Sequence, residues 1–184
     1  MDIIKADLYR YNKLSGVKGL LRGLMIPGFR YMFLMRLATS HSNRKSIKRI
    51  FYKLLLRRYV YKYGIQIPVS AKIGEGFYIG HFGSIVVSEN AVIGNNCNIA
   101  HSVTIGQTRR GSRKGAPVIG NNVWIGTGSV IVGKITIGNN VLIAPLTYLT
   151  IDVPDNCMVM GNPAKIIEKE NATEGHINNV LRTF

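Results

Sequence analysis

Two of the chain's four histidines fall at the same place in a repeating pattern. His81 lies two residues after Ile79, and His101 lies two residues after Ile99. We therefore expect the two imidazoles to be neighbours on one edge of a repetitive structure. A neutral imidazole is a suitable general base for a hydroxyl that attacks an electrophile, so this edge is a candidate catalytic site. A surface histidine without a catalytic role is the alternative, and it stays open for His101.

A basic stretch interrupts the same pattern between Ile105 and Ile119. The interval is 14 residues long, two residues more than two six-residue repeats, and no aliphatic residue stands at the expected position within it. Residues 107–117 are therefore predicted to protrude as a loop. The cations of the loop are Arg109, Arg110, Arg113 and Lys114. They are suited to holding an anion such as a phosphate through charge-assisted hydrogen bonds, although a solvated loop without a ligand is the simpler alternative.

An aliphatic residue, often followed by Gly, returns every six positions from Ile73 to Leu149. Neither a helix, with an apolar period of 3.6, nor an ordinary alternating strand explains this spacing. Three such segments make a triangular coil of about 18 residues, in which each aliphatic side chain points inward and stacks on the next coil. The eight-residue interval from Ile85 to Ile93 is expected to supply the two extra residues that separate the histidines by 20 positions.

The first third of the chain carries almost all of the net charge. Residues 1–63 hold 15 Lys and Arg against two Asp, a net +13 of the chain's +15. Helices are predicted over residues 16–26, 29–38 and 46–63, with a break at Pro27. Opposite Arg49, Lys53 and Arg57, the last helix has an apolar face made of Ile47, Ile50, Phe51, Leu54 and Tyr61. That face is expected either to cap the open end of the coil or to lie on an anionic membrane surface, and both roles are open.

Several classes of protein are disfavoured by the sequence. Charges interrupt residues 17–38, so neither a signal peptide nor a spanning helix is predicted. No nucleic-acid-binding motif accompanies the basic residues, so nucleic acid is not an expected partner. Cys97 and Cys157 are isolated, without the spacing of metal ligands or of a disulfide framework. We expect a cytoplasmic protein without a bound metal, and peripheral contact with the inner face of the membrane stays open.

Three motifs on the repeat resemble one group of enzymes. They are AKIGEG at 71–76, GHFGSIVV at 80–87 and GNPAKII at 161–167. These segments are similar to the hexapeptide-repeat acyltransferases, most closely to the serine acetyltransferase branch. The resemblance implies a mainly β fold with a left-handed parallel β-helix over residues 65–167. A basic α-helical region at 1–64 would precede it, and a polar tail at 168–184 would follow.

The resemblance implies that an acetyl group passes directly from acetyl-CoA to a hydroxyl, with His81 as the general base. Backbone amides of Gly106 and Gln107 are the implied donors to the tetrahedral oxyanion. The loop cations and Lys165 are the implied partners of the CoA phosphates. Beside the coils, the implied pantetheine contacts are Thr127, Gly128 and Ala144. Members of the family are homotrimers with each active site between two subunits, and we expect the same assembly here.

The chain departs from the serine acetyltransferase pattern around the implied base. Gln66 and Gly80 stand where the family has Asp residues, the first of which orients the histidine. Gly115 and Ala116 stand where the family has an Arg-His pair that binds the amino acid. A zwitterionic serine would therefore lack an anion for its ammonium and a cation for its carboxylate. Gln66 is still expected to accept a hydrogen bond from His81 and fix its tautomer.

These departures favour a different acceptor. The pattern resembles the polysaccharide O-acetyltransferases of bacterial capsule and colanic-acid pathways, so we expect a sugar hydroxyl in a surface polysaccharide or its lipid-linked precursor. Serine O-acetylation in cysteine biosynthesis is the first alternative. A non-catalytic, membrane-associated scaffold is an alternative of another class, which the retention of His81 beside a basic loop disfavours. A γ-type carbonic anhydrase shares the repeat but needs three histidines on its zinc.

Overall fold

The structure, a computed structural model, describes residues 2–40 and 47–181. Within these ranges the helices come first: α1 (Asp2–Tyr9), α2 (Gly16–Gly23), α3 (Pro27–Ser40) and α4 (Ile47–Tyr63). Short strands follow. They are β1 (Ile65–Gln66), β2 (Lys72–Ile73), β3 (Tyr78–Ile79), β4 (Ile85–Val87), β5 (Val92–Ile93), β6 (Asn98–Ile99), β7 (Thr104–Gly106), β8 (Val118–Ile119), β9 (Trp124–Ile125), β10 (Val130–Val132), β11 (Thr136–Ile137), β12 (Val141–Ile143), β13 (Tyr148–Leu149), β14 (Cys157–Met160) and β15 (Lys165–Glu168).

The strands stack into three sheets that form the sides of a prism. Sheet 1 runs β1-β4-β7-β10-β13 and sheet 2 runs β2-β5-β8-β11. Sheet 3 runs β3-β6-β9-β12-β14, and β15 pairs antiparallel with β14 at its edge. Apart from that last pair the neighbours are parallel, and in the first four coils each strand pairs with the strand three places further along the chain. The predicted parallel β-helix of six-residue segments is confirmed.

Stacked isoleucines fill the inside of the prism. In sheet 2 the register pairs Ile73 with Ile93, and Ile93 with Ile119. In sheet 3 it pairs Ile79 with Ile99. These side chains are almost completely buried, and each such burial stabilises the fold by about 1.5–3 kcal/mol. The aliphatic repeat therefore supplies both the register and the core.

A column of asparagines holds one corner of the prism. Asn96 and Asn122 adopt φ values of 56° and 53°, a left-handed conformation that asparagine tolerates in turns. Beside them, the Asn121 side chain accepts a hydrogen bond from the Asn95 N–H at 2.8 Å, and the Asn139 side chain accepts one from the Asn121 N–H at 2.8 Å. Each coil is therefore bonded to the next at this corner as well as along its strands.

The two residues that lengthen one turn lie elsewhere than predicted. Val87, and not Ile85, pairs with Ile105. The step from Val87 to Ile93 is then an ordinary repeat, and the extra residues lie in the turn at 80–84 between β3 and β4. The prediction of an insertion between Ile85 and Ile93 was wrong because alternation along β4 buries both Ile85 and Val87, so either residue fits the aliphatic phase.

Side chains from α3 and from the turn after α1 cap the open edge of the first coil. The Tyr31 hydroxyl donates to the Ile67 carbonyl at 2.9 Å and accepts from the Ile67 N–H at 3.1 Å. The Tyr11 hydroxyl makes the same pair of bonds with Ile79, at 3.1 and 3.2 Å. An uncovered edge would leave these backbone groups without partners or open to pairing with another chain. These bonds come from α3 and from the turn after α1, while α4 packs against the same coil through Leu56 and Tyr63.

A buried ion pair completes this cap. The Arg36 guanidinium lies 2.9 Å from the Asp7 carboxylate and also donates to the Ile73 carbonyl at 2.7 Å. Asp7 accepts a further hydrogen bond from the Phe77 N–H at 2.9 Å. Burial raises the pKa of the Asp7 carboxyl, and the Arg36 charge acts against that rise. The pair therefore ties α1 and α3 to the first coil.

Helix α4 packs with a different face from the one predicted. Leu56, which lies outside the predicted apolar face, is only 4% exposed, and Tyr63 is 8% exposed. The predicted face points to solvent, since its members are exposed: Ile47, Ile50, Phe51, Leu54 and Tyr61. The face that packs combines Leu56 with tyrosines, whose rings can be buried while their hydroxyls stay at the surface. Tyr59 and Tyr63 accordingly stack with their ring centroids 5.2 Å apart.

The helix boundaries also differ from the predicted ones. Helix α1 was not predicted, and α2 ends at Gly23 instead of residue 26. Helix α3 begins at Pro27, because proline has no N–H to lose in the first turn of a helix. Ser46, the predicted start of the last helix, lies outside the described residues. Among the described helices, none combines the length and the apolar character needed to cross a bilayer.

Arg36→Leu is expected to lower the free energy of unfolding by about 3–5 kcal/mol at pH 7, because it leaves the Asp7 carboxylate buried without its counter-charge. The loss should shrink as the pH falls toward about 4. In the variant, burial without Arg36 raises the pKa of folded Asp7 above that of the unfolded chain, so the folded state takes up a proton first and is stabilised. Urea unfolding measures both effects, with the exposed Arg22→Leu on α2 as the control. Equal losses in the two variants would contradict the capping role of the ion pair.

Candidate active site

The two histidines predicted to be neighbours are brought together. Ile79 pairs with Ile99 in sheet 3, so the residues two places further on meet at the corner that leads to sheet 1. The ring centroids of His81 and His101 are 6.0 Å apart, and their planes are nearly perpendicular at 89°. His81 is exposed and His101 is half-buried. We call this edge of the prism the histidine corner.

The turn that carries His81 is the lengthened one, and it is bonded to the turn below. The Gly83 carbonyl accepts a hydrogen bond from the Ser102 N–H at 2.8 Å. Gly83 has a φ of 126°, which favours glycine, and Ser102 has a φ of 60°. Phe82 is 52% exposed, and its ring lies 5.2 Å from that of Tyr63 at the end of α4. His81 therefore lies on an outward turn that is held by the Gly83–Ser102 hydrogen bond and by the contact between Phe82 and Tyr63.

The histidine corner continues along the later coils. The Gly128 N–H donates to the His101 carbonyl at 3.2 Å, and the Leu146 N–H donates to the Thr127 carbonyl at 2.9 Å. Thr127 and Gly128 therefore lie directly along the prism from the two imidazoles, and Ala144 stands at the start of the next turn. Lys165 is exposed at the start of β15. Thr127, Gly128 and Ala144, which the resemblance linked to CoA, therefore follow the histidine corner. Lys165, which it also linked to CoA, lies on the last strand of sheet 3.

The basic loop is an ordered hairpin at a different corner, between sheet 1 and sheet 2. Thr108 and Gly115 exchange backbone hydrogen bonds of 2.9 and 3.0 Å across its base. The Arg113 carbonyl accepts from the Lys134 N–H at 2.9 Å, and the Arg113 side chain lies 3.2 Å from the Asp152 carboxylate. Arg113 is therefore directed along the prism towards the later coils. The remaining predicted cations, Arg109, Arg110 and Lys114, are exposed.

Within one chain, the histidine corner lies where the strands of sheet 1 begin, and the loop lies where they end. The turn that holds His101 precedes β7, whereas Gly106 and Gln107 follow it. Strand β7, three residues and about 10 Å long, lies between the two corners. The predicted oxyanion donors and the loop cations therefore do not meet His81 of the same chain.

Gln66 does not play its predicted part in this structure. It lies on β1 opposite Val86, with an exposed side chain. Among the described residues, no hydrogen bond joins Gln66 to His81. Gln66 lines a cleft beside α4 instead.

Two contacts of the loop were missed by sequence reasoning. The Gln107 side chain accepts a hydrogen bond from the Asn90 amide at 2.7 Å. Asp152, the partner of Arg113, also accepts from the Thr136 N–H at 2.7 Å, and these bonds lower the pKa of its carboxyl. Asn90 and Asp152 are distant in sequence from their partners, and only the coil register places them beside the loop.

The cysteines are poorly placed to act as nucleophiles. Cys97 and Cys157 are both buried. Burial raises the pKa of the Cys97 thiol to about 11, so little reactive thiolate forms at neutral pH. In the described part of the chain, no three His, Cys, Asp or Glu side chains converge on a point where a metal ion would bind. A direct attack assisted by histidine fits these positions better than an acyl-cysteine intermediate.

The stacked six-residue coils place this chain in the hexapeptide-repeat class of folds. The family described as bacterial transferase hexapeptide (six repeats) matches residues 116–150. These residues begin at the end of the basic loop and run to the turn after β13.

Within this class, the chain is similar to proteins named serine acetyltransferase. The Helicobacter pylori protein named serine acetyltransferase is 33% identical over 147 residues, which cover 80% of this chain and 85% of that protein. A Synechococcus elongatus serine acetyltransferase is 38% identical over 104 residues, or 56% of this chain and 43% of that protein. The crystal structure of a Brucella abortus serine acetyltransferase in complex with coenzyme A matches with a TM-score of 0.77 and 29% identity, over 92% of this chain and 68% of that one.

The chain belongs to the serine acetyltransferase family. It spans less than half the length of the Synechococcus relative, although it spans most of the Helicobacter one. The sequence-based resemblance to this family is confirmed. The finer resemblance to polysaccharide O-acetyltransferases finds no support among these relatives, which are named for serine.

Proposed function

We propose that this protein transfers an acetyl group from acetyl-CoA to a hydroxyl, with His81 as the general base. The observation that carries the proposal is the exposed His81 on a corner that continues through Thr127 and Gly128, in a chain of this family. The coenzyme A complex of the Brucella relative supports the choice of donor.

The chemistry at this corner is a single displacement. An imidazole nitrogen of His81 removes the proton of the acceptor hydroxyl while the oxygen attacks the thioester carbon. The resulting tetrahedral oxyanion needs preorganised N–H donors. As the intermediate collapses, the C–S bond breaks and the CoA thiolate leaves, taking up the proton that the imidazolium carries. His101 lies beside His81 and is placed to influence its charge or orientation.

A second copy of the chain completes the site in this proposal. The loop and the amides of Gly106 and Gln107 lie at the opposite end of β7 from His101 of the same chain, on a different corner of the prism. A closed ring of three prisms would bring the loop corner of one copy against the histidine corner of the next. The predicted homotrimer would thereby supply the oxyanion donors and loop cations to His81 of a neighbour.

L-serine is the acceptor that the relatives favour, because the similar proteins are named serine acetyltransferases. A sugar hydroxyl is the second candidate, supported by one observation about the residues. Gly80, Gly115 and Ala116 replace the charged residues that the resemblance assigns to amino-acid recognition. The two acceptors differ in the charges that they need, so they can be separated by experiment.

His81→Ala is expected to lower kcat for acetyl transfer by about 10²–10⁴, because the attacking hydroxyl loses its base. Release of the CoA thiol from acetyl-CoA measures the rate. His176→Ala is the matched control, since this exposed histidine contacts Trp124 away from the histidine corner. Unchanged activity in His81→Ala would remove the proposed base.

An acceptor screen separates the two candidate substrates. We expect release of CoA thiol with L-serine, at a higher KM than a site with both charged partners would give, because neither end of the zwitterion has its predicted partner. Free hexoses and glycan fragments are tested in parallel at equal concentrations. Faster turnover of a sugar would transfer the assignment to sugar O-acetylation. Absence of release with every acceptor would favour the non-catalytic alternative.

A further inference from the structure

A cleft of about 800 Å³ lies between α4 and the first coil. It is lined by residues 66–70, which run from the end of β1 into the following turn, and by the buried residues Tyr31 and Leu56. Neither His81 nor His101 lines it, so it is separate from the histidine corner. No part of the proposed acetyl transfer uses this cleft.

One side of α4 lines the cleft with three cations. Arg49, Lys53 and Arg57 are spaced four residues apart, so they lie one above another on the same face of the helix. Like charges at this spacing repel one another. No acidic residue lines the cleft among the described residues. A bound anion would relieve the repulsion between Lys53 and Arg57.

The neutral residues of the cleft suit a ligand that carries hydroxyl groups. The Gln66 amide and the Ser70 hydroxyl are exposed and can both donate and accept hydrogen bonds. Tyr61 is 77% exposed and offers an aromatic face at the edge. Cations beside these groups would bind the phosphate, and the amide, hydroxyl and ring would bind the polyol.

The cleft is physically connected to the histidine corner. Gln66 is two residues beyond the glycine that joins α4 to β1, and the last residue of α4, Tyr63, contacts Phe82 beside His81. A ligand that binds between α4 and the first coil would therefore contact the helix whose last residue, Tyr63, packs on Phe82 in the His81 turn.

We propose that this cleft binds the phosphate or diphosphate group of a phosphorylated polyol, separately from acetyl-CoA. The bound phosphate lies against Lys53 and Arg57, and the polyol faces Gln66 and Ser70. The proposal concerns binding, and it stands whether or not acetyl transfer is demonstrated.

Calorimetric titration of the full chain with inorganic pyrophosphate and with glucose 1-phosphate tests the site, with glucose as the uncharged probe. The double variant Lys53→Ala/Arg57→Ala removes two cations from the cleft. Lys48→Ala/Arg58→Ala is the matched control, because it removes the same charge from exposed positions of α4 that do not line the cleft. Alanine is favourable in a helix, so both variants are expected to fold.

We expect the cleft variant to raise the Kd for glucose 1-phosphate by about tenfold or more, and the control to change it less than about twofold. The same Kd in the presence of saturating CoA is also expected. Equal weakening in the two variants would show a general charge effect and overturn the proposal. Displacement by CoA would assign the cleft to the CoA phosphates, which also overturns it.

Vesicles distinguish the source of the phosphate. Binding to phosphatidylglycerol vesicles but not to phosphatidylcholine vesicles, with the same loss in Lys53→Ala/Arg57→Ala, would support a lipid-borne phosphate at this site. Binding of the soluble phosphates alone would support a free metabolite. Failure of all the phosphate probes and vesicles to bind would exclude the site.

Discussion

The whole molecule depends on the parallel stacking of its coils in register. Each outward position has an equivalent position about 4.8 Å away on the next coil, so the corners become columns of residues that are distant in sequence. The stack holds only if its open end is closed, because an uncovered coil presents unpaired backbone groups. Tyr11, Tyr31 and the Asp7–Arg36 pair provide that closure. The register then fixes where any side chain on the prism can meet another.

The proposed function uses the places where the regular repeat is broken. The two-residue extension of the turn at 80–84 displays His81 next to His101, and the longer excursion at 107–117 builds the basic hairpin. A rigid scaffold with a few irregular turns is a common way to position reactive groups. The register places these two breaks at different corners of one chain, and this separation is the physical reason for expecting a site shared between copies.

The fold could be predicted from the sequence because it follows from the six-residue period. The histidine pair also required a two-residue insertion, which was predicted at the wrong turn. Other features depend on contacts that the period does not encode. The packing face of α4 was predicted wrongly, because the buried face combines Leu56 with Tyr63 and the longer apolar stripe faces solvent. The contact between Asp152 and Arg113 could not be predicted, because Arg113 lies in a loop outside the six-residue repeat and its position relative to the later coils does not follow from the spacing.

The most direct test of the shared site is subunit complementation. His81→Ala subunits are assembled together with subunits that carry Arg109→Ala, Arg110→Ala and Lys114→Ala, and CoA release is compared with that of each variant alone. In random three-membered rings of equal parts, roughly one quarter of the sites would combine an intact histidine with an intact loop from the neighbour. We predict recovery of activity approaching that fraction from two weakly active parents. Activity that stays at the average of the two parents would contradict a site built from two copies of the chain.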